Sequence, residues 1–234
     1  MAKRLTFLLA LVVGCAVPLL ADSSHQDDVR RIESSAEVFR EVTNMPDKGI
    51  PQDLLGSAKC IAIIPAEKKF AFFVGGNYGK GVVTCRDARG WSAPLFLTVG
   101  GGSFGFQWGG SSTDLILMFR GREGLEKLLS DKFQIGGDAT AAAGPVGRQA
   151  AAGTDIAMHA EILTYSRSRG AFAGISLNGA VMQPDDSGNT ALYGHDVRRD
   201  AILTGKVDVP SEAQPLVEAI ALGTHTHAVP AKGK

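Results

Sequence analysis

The placement of glycine constrains this chain more than any other feature. Most of its 29 glycines fall between residues 75 and 194, inside apolar and β-branched sequence rather than in polar linkers. In a helix interior each would cost roughly 1 kcal/mol against alanine, whereas a sheet uses glycine for bulges, tight turns and close backbone contact. The expected product is a set of short, twisted strands. A length of 234 residues suits one globular domain, and 44% hydrophobic with 21% charged content provides for a buried core.

Residues 100–110 read GGGSFGFQWGG, in which Gly100, Gly102 and Gly105 match the GxGxxG dinucleotide fingerprint in form. That fingerprint works where a strand precedes it and a helix opens at its last glycine to receive pyrophosphate. LFLTV at 95–99 supplies a strand, but FQWGGSSTDLILMF after Gly105 supplies no helix. The tract therefore reads as a glycine-permitted bend between two strands. Phe104, Phe106 and Trp108 alternate onto one face, where they either line the core or grip an acyl chain. GGNYGKGVV at 75–83 fails as a phosphate loop, because Gly81 follows Lys80 where Ser or Thr is required and a strand comes next. It reads as a glycine-kinked strand that exposes Lys80.

Lys3 and Arg4 precede an apolar run at 5–20, and Ala21 before Asp22 and Ser23 offers a small-residue cleavage point. Residues 1–21 thus have the layout of a secretory signal, and the mature chain is expected to be exported, periplasmic or envelope-associated. The run is shorter than the ~20 residues a spanning helix needs, and it contains Pro18. Val12, Val13, Gly14 and Cys15 also resemble a lipobox, so the alternative is a lipoprotein signal ending at 14 with an acylated, lipid-anchored Cys15. Against it, 16–21 stays apolar. In an oxidising compartment Cys60 and Cys85 either form a disulfide or remain buried thiols. Without histidines at ligand spacing they make no zinc site.

Apolar positions Val29, Ile32, Ala36, Phe39 and Val42 give an amphipathic helix over 27–44. A short helix follows Pro51, then strands at 60–64 and 70–74 read as a hairpin, with further strands at 95–99 and 115–119. A second amphipathic helix is expected at 124–133. The small-residue stretch 135–153 reads as a sheet edge or close crossing rather than a linker. Runs at 156–165 and 172–182 form a hairpin through SRSRG, which Asp185, Asp186 and Gly188 end. Helices at 196–203 and 211–222 close the domain, and 224–234, with His225 and His227, reads as a disordered tail.

No GxSxG elbow, HExxH pair or cysteine-nucleophile signature is present, and His159 and His195 stand alone. The chain is expected to be no enzyme and to need no cofactor or metal. Lys plus Arg equals Asp plus Glu at 24 each, so there is no global field to attract nucleic acid.

The strings IPQDLLGSAKCIAIIP, FFVGGNYGKGVV, GWSAP, GGGSFGFQWGG, DATAAAGPVGR, ILTYSRSRGAFAGISLNG and ALYGHDV occur in that order. Together they resemble the SYLF-domain family of lipid-binding proteins across about residues 28–206, in the arrangement of its exported bacterial branch. The resemblance implies a module for phosphoinositides or other anionic lipids, with eukaryotic relatives tied to membrane tubulation and actin patches. The chain is expected to lack a companion SH3 or FYVE module, and in the exported setting actin is not an expected partner while a protein partner in the envelope is. The segment 27–44 matches the family's N-terminal helix, although its mixed charge suits an anionic surface poorly. Better head-group candidates are Lys68, Lys69, Lys80, Arg86 and Arg89 in the first half, and Arg148, Arg167 and Arg169 in the second. Arginine forks grip phosphate through two nitrogens, and lysine acts as a point charge.

The expected architecture is α+β: one domain over 28–223, with a bent, glycine-rich antiparallel sheet, barrel-like in form, flanked by N- and C-terminal helices. The expected function is non-catalytic binding of anionic lipids at an envelope membrane through basic turns and apolar contacts. The alternative is a structural or interaction protein of the envelope, or a carrier of a small apolar ligand.

Overall fold

A computed structural model describes residues 19–45, 49–66, 77–101, 113–146, 159–168, 171–195 and 197–225. Helix α1 (Leu19–Thr43) begins before residue 27 and turns Ile32, Ala36, Phe39 and Val42 inward, all of them buried. After α2 (Gln52–Ser57) come β1 (Cys60–Ile64), β2 (Asn77–Asp87), β3 (Gly90–Trp91), β4 (Leu95–Gly101) and β5 (Asp114–Phe119). Next are α3 (Arg122–Leu129), β6 (Phe133–Gln134), β7 (Ala141–Ala143), β8 (Ile162–Ser168), β9 (Ala171–Gly174) and β10 (Val181–Pro184). Helices α4 (Asp186–Tyr193), α5 (Arg199–Leu203) and α6 (Gln214–Thr224) complete the chain, the last preceded by a 3-10 turn at Ser211–Ala213.

The strands form one sheet in the order β6-β10-β4-β2-β1-β5-β8-β7, with β3 beside β2 and β9 beside β8. All described pairs are antiparallel except β7 with β8. This order forces the sheet to curl. Laid flat, its two end strands would stand about 34 Å apart at ~4.8 Å per strand. Yet β6 and β7 are joined by residues 135–140 alone, a reach of at most about 25 Å, and the Ile135–Ala139 bridge draws that link tighter still. Phe119 of β5 accordingly meets Phe133 of β6 edge to face, with ring centres 6.4 Å apart. The stretch 175–180 crosses the seam. Ile135 N–H donates to Ala180 O (2.8 Å) and Gly179 N–H to Ile135 O (2.8 Å), while Ile175 N–H donates to Thr164 O (3.3 Å).

Alternation within β1 sends Ile61 and Ile63 to the face covered by α1, α2 and α6, and Cys60, Ala62 and Ile64 to the concave face. Both faces are buried, which is why β1 reads as a continuous apolar run. The concave side is filled by Leu97, Leu117, Phe119, Phe133, Ile135 and Met182. A cavity of about 10 Å³ beside Leu97, Phe133 and Met182 has room for one water at most.

The α+β, curled-sheet expectation therefore holds, and several details differ. Cys60 and Cys85 face each other across β1 and β2, with Cα atoms 4.0 Å apart, and are joined as a disulfide. The expected hairpin of 60–64 with 70–74 does not form the centre of the sheet: β1 has β2 on one edge and β5 on the other, and 70–74 lies outside the described residues. The run 172–182 is two strands, because the chain leaves β8 after Gly174 and crosses the seam to pair with β4. The sequence pattern at 185–188 predicts the end of a sheet, where the structure has α4. Asp185 caps it by accepting the Gly188 N–H, so the acidic turn opens a helix. The described part of the small-residue segment, 135–146, packs closely as expected. A Cβ on Gly144 would lie 2.0 Å from Tyr165 Cζ, and one on Gly174 would lie 2.2 Å from Gly144 O.

Candidate functional site: charge clusters between helix α1 and the sheet

Residues Ile64, Asn77, Gly101, Asp114, Ser168 and Ala171 all lie at one end of the curled sheet, as the register shows. Lys80 and Arg167 belong to this end, whereas Arg86 and Arg89 belong to the opposite one. Lys68, Lys69, Arg148, Arg169, Phe104, Phe106, Trp108 and Cys15 lie outside the described residues.

The two arginines at the far end are engaged with backbone. Arg86 donates from Nε to Ala58 O (3.0 Å) and from Nη2 to Gly56 O (3.2 Å), and its guanidinium lies 4.8 Å over the Trp91 ring. Burial lowers its pKa from the usual value. It neutralises carbonyls where α2 ends, a favourable place for a cation. Arg89 pairs with Asp208 at 2.9 Å and holds the Val207 carbonyl at 3.1 Å, tying down the turn after α5.

Lys80 belongs to a buried tetrad. Arg31 of α1 donates Nη1 to Asp185 Oδ2 at 3.0 Å and pairs Nη2 with Asp28 Oδ1 at 2.9 Å, with its guanidinium 4.8 Å from the Phe96 ring centre. Lys80 Nζ reaches the same Asp185 Oδ2 at 3.2 Å. The Arg31 and Asp185 side chains are 2% and 7% exposed, and Lys80 is 33% exposed. Burial alone would raise the Asp185 pKa, but the Ser187 hydroxyl with the Lys80 and Arg31 charges outweighs it and holds the carboxyl at about 2. Asp28 is pushed the other way: its burial raises the pKa more than Arg31 lowers it. The expected exposed lysine is thus a partner in a structural ion cluster.

Arg167 stands at the end of β8, directly opposite Asp114 of β5. Its Nε and Nη2 grip Asp114 Oδ2 at 2.6 and 2.5 Å, and Asp114 Oδ1 accepts the Ala66 N–H at 2.8 Å. Burial raises the Asp114 pKa, the Ala66 N–H lowers it and nearby Glu37 raises it. The remaining nitrogen, Nη1, pairs with Glu41 of α1.

A groove of about 600 Å³ runs between the end of α3 and helices α4 and α5, and His195 lines it. Within it Arg199 is held by Asp131 at 2.8 Å and Asp186 at 3.0 Å. Among the described residues no three His, Cys, Asp or Glu side chains converge as a metal site.

Residues 100–222 match the Ysc84 family, described as "Las17-binding protein actin regulator". The chain belongs to this SYLF-domain family. It is 33% identical over 195 residues to the SH3 domain-containing YSC84-like protein 1 of Bos taurus and to that of Homo sapiens, covering 80% of this chain and 57% of each relative. It is also 33% identical over 178 residues to Protein YSC84 of Saccharomyces cerevisiae, covering 74% of this chain and 38% of the yeast protein. The chain thus spans about half or less of these relatives' lengths. Asp114, Arg167 and Asp185 fall inside the stretch that matches the Ysc84 family model, and α1 and Lys80 precede it.

Sequence reasoning missed Asp28, Arg31, Glu41, Asp114 and Asp185 as members of these clusters. For α1 a signal was present: Asp28, Arg31 and Ser35 share helical spacing with the apolar stripe, and all three are buried. Asp114 and Arg167 each sit at a strand terminus. Their meeting depends on β5 pairing with β8, which no local pattern announces.

Proposed function

We propose that this SYLF domain is a non-catalytic module that binds anionic lipid at an envelope membrane through one end of its sheet. The observation that carries the reading is the gathering of strand ends. The described strands that bracket 67–76, 102–112 and 169–170 end where Arg167 and Lys80 stand, and those stretches of sequence contain Lys68, Lys69, Phe104, Phe106, Trp108 and Arg169. Basic and aromatic residues together suit a membrane interface, the first for phosphate and the second for the acyl boundary. The solvent face of α1, with Asp27, Arg30, Glu33, Glu37 and Arg40, carries both signs and does not attract an anionic surface. The concave face of the sheet, filled by side chains among the described residues, argues against carriage of an apolar ligand there. Export is part of the proposal, and the buried Cys60–Cys85 disulfide supports it because such bonds persist in oxidising compartments.

Sedimentation of the mature protein with phosphatidylglycerol vesicles tests the reading. Binding is expected at low salt, weakening progressively as salt screens it, and Lys68→Glu with Lys69→Glu should weaken it while Arg89→Gln does not. A protein that ignores these vesicles even at low salt defeats the proposal. Intact mass separates an acylated Cys15 from cleavage after Ala21. The family description favours a second reading, in which the same end docks a protein. Vesicle-independent capture of one purified envelope protein, lost with the same lysine substitutions, would support that reading instead.

A further inference from the structure

We propose that Arg167 is the centre of a phosphate-recognition site whose anion position is occupied in this structure by the carboxylate of Glu41, so that α1 restrains the site until a phosphate monoester displaces that side chain. The inference deepens the lipid-binding reading and relies on it only for the source of the phosphate.

The guanidinium is fixed in advance. Asp114 takes two of its nitrogens, and Asp114 is itself held by the Ala66 N–H, so Arg167 cannot turn away to follow a ligand. Nη1 is the nitrogen left for a partner, and the side chain keeps 18% of its surface exposed. An arginine oriented by a buried carboxylate is a recurrent way to present a donor to phosphate. The other described candidates are differently placed: Arg86 and Arg89 hold backbone carbonyls, and Lys80 is bound to Asp185 in the tetrad.

The occupant of the anion position is less firmly held than the partners of Arg31. The Glu41 side chain is 41% exposed on the edge of α1, although its paired Oε2 is shielded, and a pair open to water on one side contributes less than a fully buried one. Glu37, one turn earlier, adds negative charge near the same guanidinium. A phosphate monoester carries about −1.5 to −2 at neutral pH and offers three acceptor oxygens, so it competes well against a single carboxylate. Displacement needs only a swing of the Glu41 side chain, because α1 remains docked through Ile32, Ala36, Phe39 and Val42.

The test compares Glu41→Gln with Glu33→Gln, which removes the same charge from an exposed position of the same helix. Two probes are used on the full mature protein: vesicles of phosphatidylcholine with phosphatidic acid, by sedimentation, and inorganic phosphate, by calorimetry. Glu41→Gln is expected to bind both roughly two- to five-fold tighter than the unaltered chain, with Glu33→Gln unchanged for inorganic phosphate. Adding Arg167→Lys, which keeps a cation beside Asp114 but loses the fork, should abolish the gain. If no protein binds vesicles yet Glu41→Gln gains affinity for inorganic phosphate, the site stands and the lipid reading falls. Equal affinities for Glu41→Gln and Glu33→Gln with both probes would overturn the proposal.

Discussion

Helix α1 meets the sheet through two charge clusters built from the same parts and put to different uses. Toward its N-terminal half Arg31 lies between Asp28 and Asp185, almost wholly shielded from water, and Lys80 is drawn in beside it. Toward its C-terminal end Arg167 is gripped by Asp114, and its last nitrogen faces the half-exposed Glu41. Burial separates the two. Breaking a fully desolvated pair strands a charge in a poor solvent, whereas a pair with one partner open to water costs less to break. The first cluster fixes α1, and the second leaves a donor that can change partners.

The largest effect is expected from Asp185→Ala. It removes the partner shared by Arg31 and Lys80 together with the cap of α4, and should destabilise the fold by about 3–5 kcal/mol in urea unfolding. A loss below about 1 kcal/mol would erase the distinction between the clusters.

Acid should sharpen the same distinction. The Asp185 pKa is depressed from 3.8 to about 2, so its stabilising contribution is present above the unfolded value and is lost as pH falls from about 4 towards 2. That contribution is roughly 2 kcal/mol, and Asp185→Asn should flatten this part of the stability profile. Asp28 runs the opposite way: a carboxyl raised by folding contributes fully below its unfolded value, and the contribution disappears as pH rises through the folded one. Asp28→Asn should therefore remove an opposing slope and cost no more than about 1 kcal/mol at neutral pH, in the same urea series. A loss matching that of Asp185→Ala would show that both carboxylates anchor Arg31 equally.

The smallest stability change belongs to Glu41→Gln, expected within about 0.5 kcal/mol by thermal unfolding even as anion affinity rises. If the melting transition instead drops as far as with Asp185→Ala, the second cluster is an anchor like the first.

Much of this fold was legible. The stripe Ile32, Ala36, Phe39 and Val42 marked α1, and the continuous run Cys60–Ile64 marked a strand buried on both faces. Gly144 and its alanine neighbours correctly signalled close packing, realised against the Tyr165 ring. Helix α4 was misread because Asp185, Asp186 and Gly188 are turn formers in either context, and only the bond from the Gly188 N–H to Asp185 marks a helix start. The pairing of β1 differs from the expected hairpin with 70–74 because β2 and β5 occupy its two edges, and the pairing with β5 joins segments distant in the chain that no local pattern announces. The basic candidates were legible as residues and illegible as a set. Lys80, Arg86, Arg89 and Arg167 look alike in sequence, yet each found a different partner.

The sequence by itself determined the family, the α+β class, the short glycine-bent strands and the helix that flanks them, because periodicity and backbone freedom are local properties. Tertiary structure alone decided whether the cysteines met, and which partner each described cation found. Those outcomes depend on register and burial across segments distant in the chain: Arg31 meets Asp185 and Arg167 meets Glu41 only after the sheet has curled and α1 has crossed it.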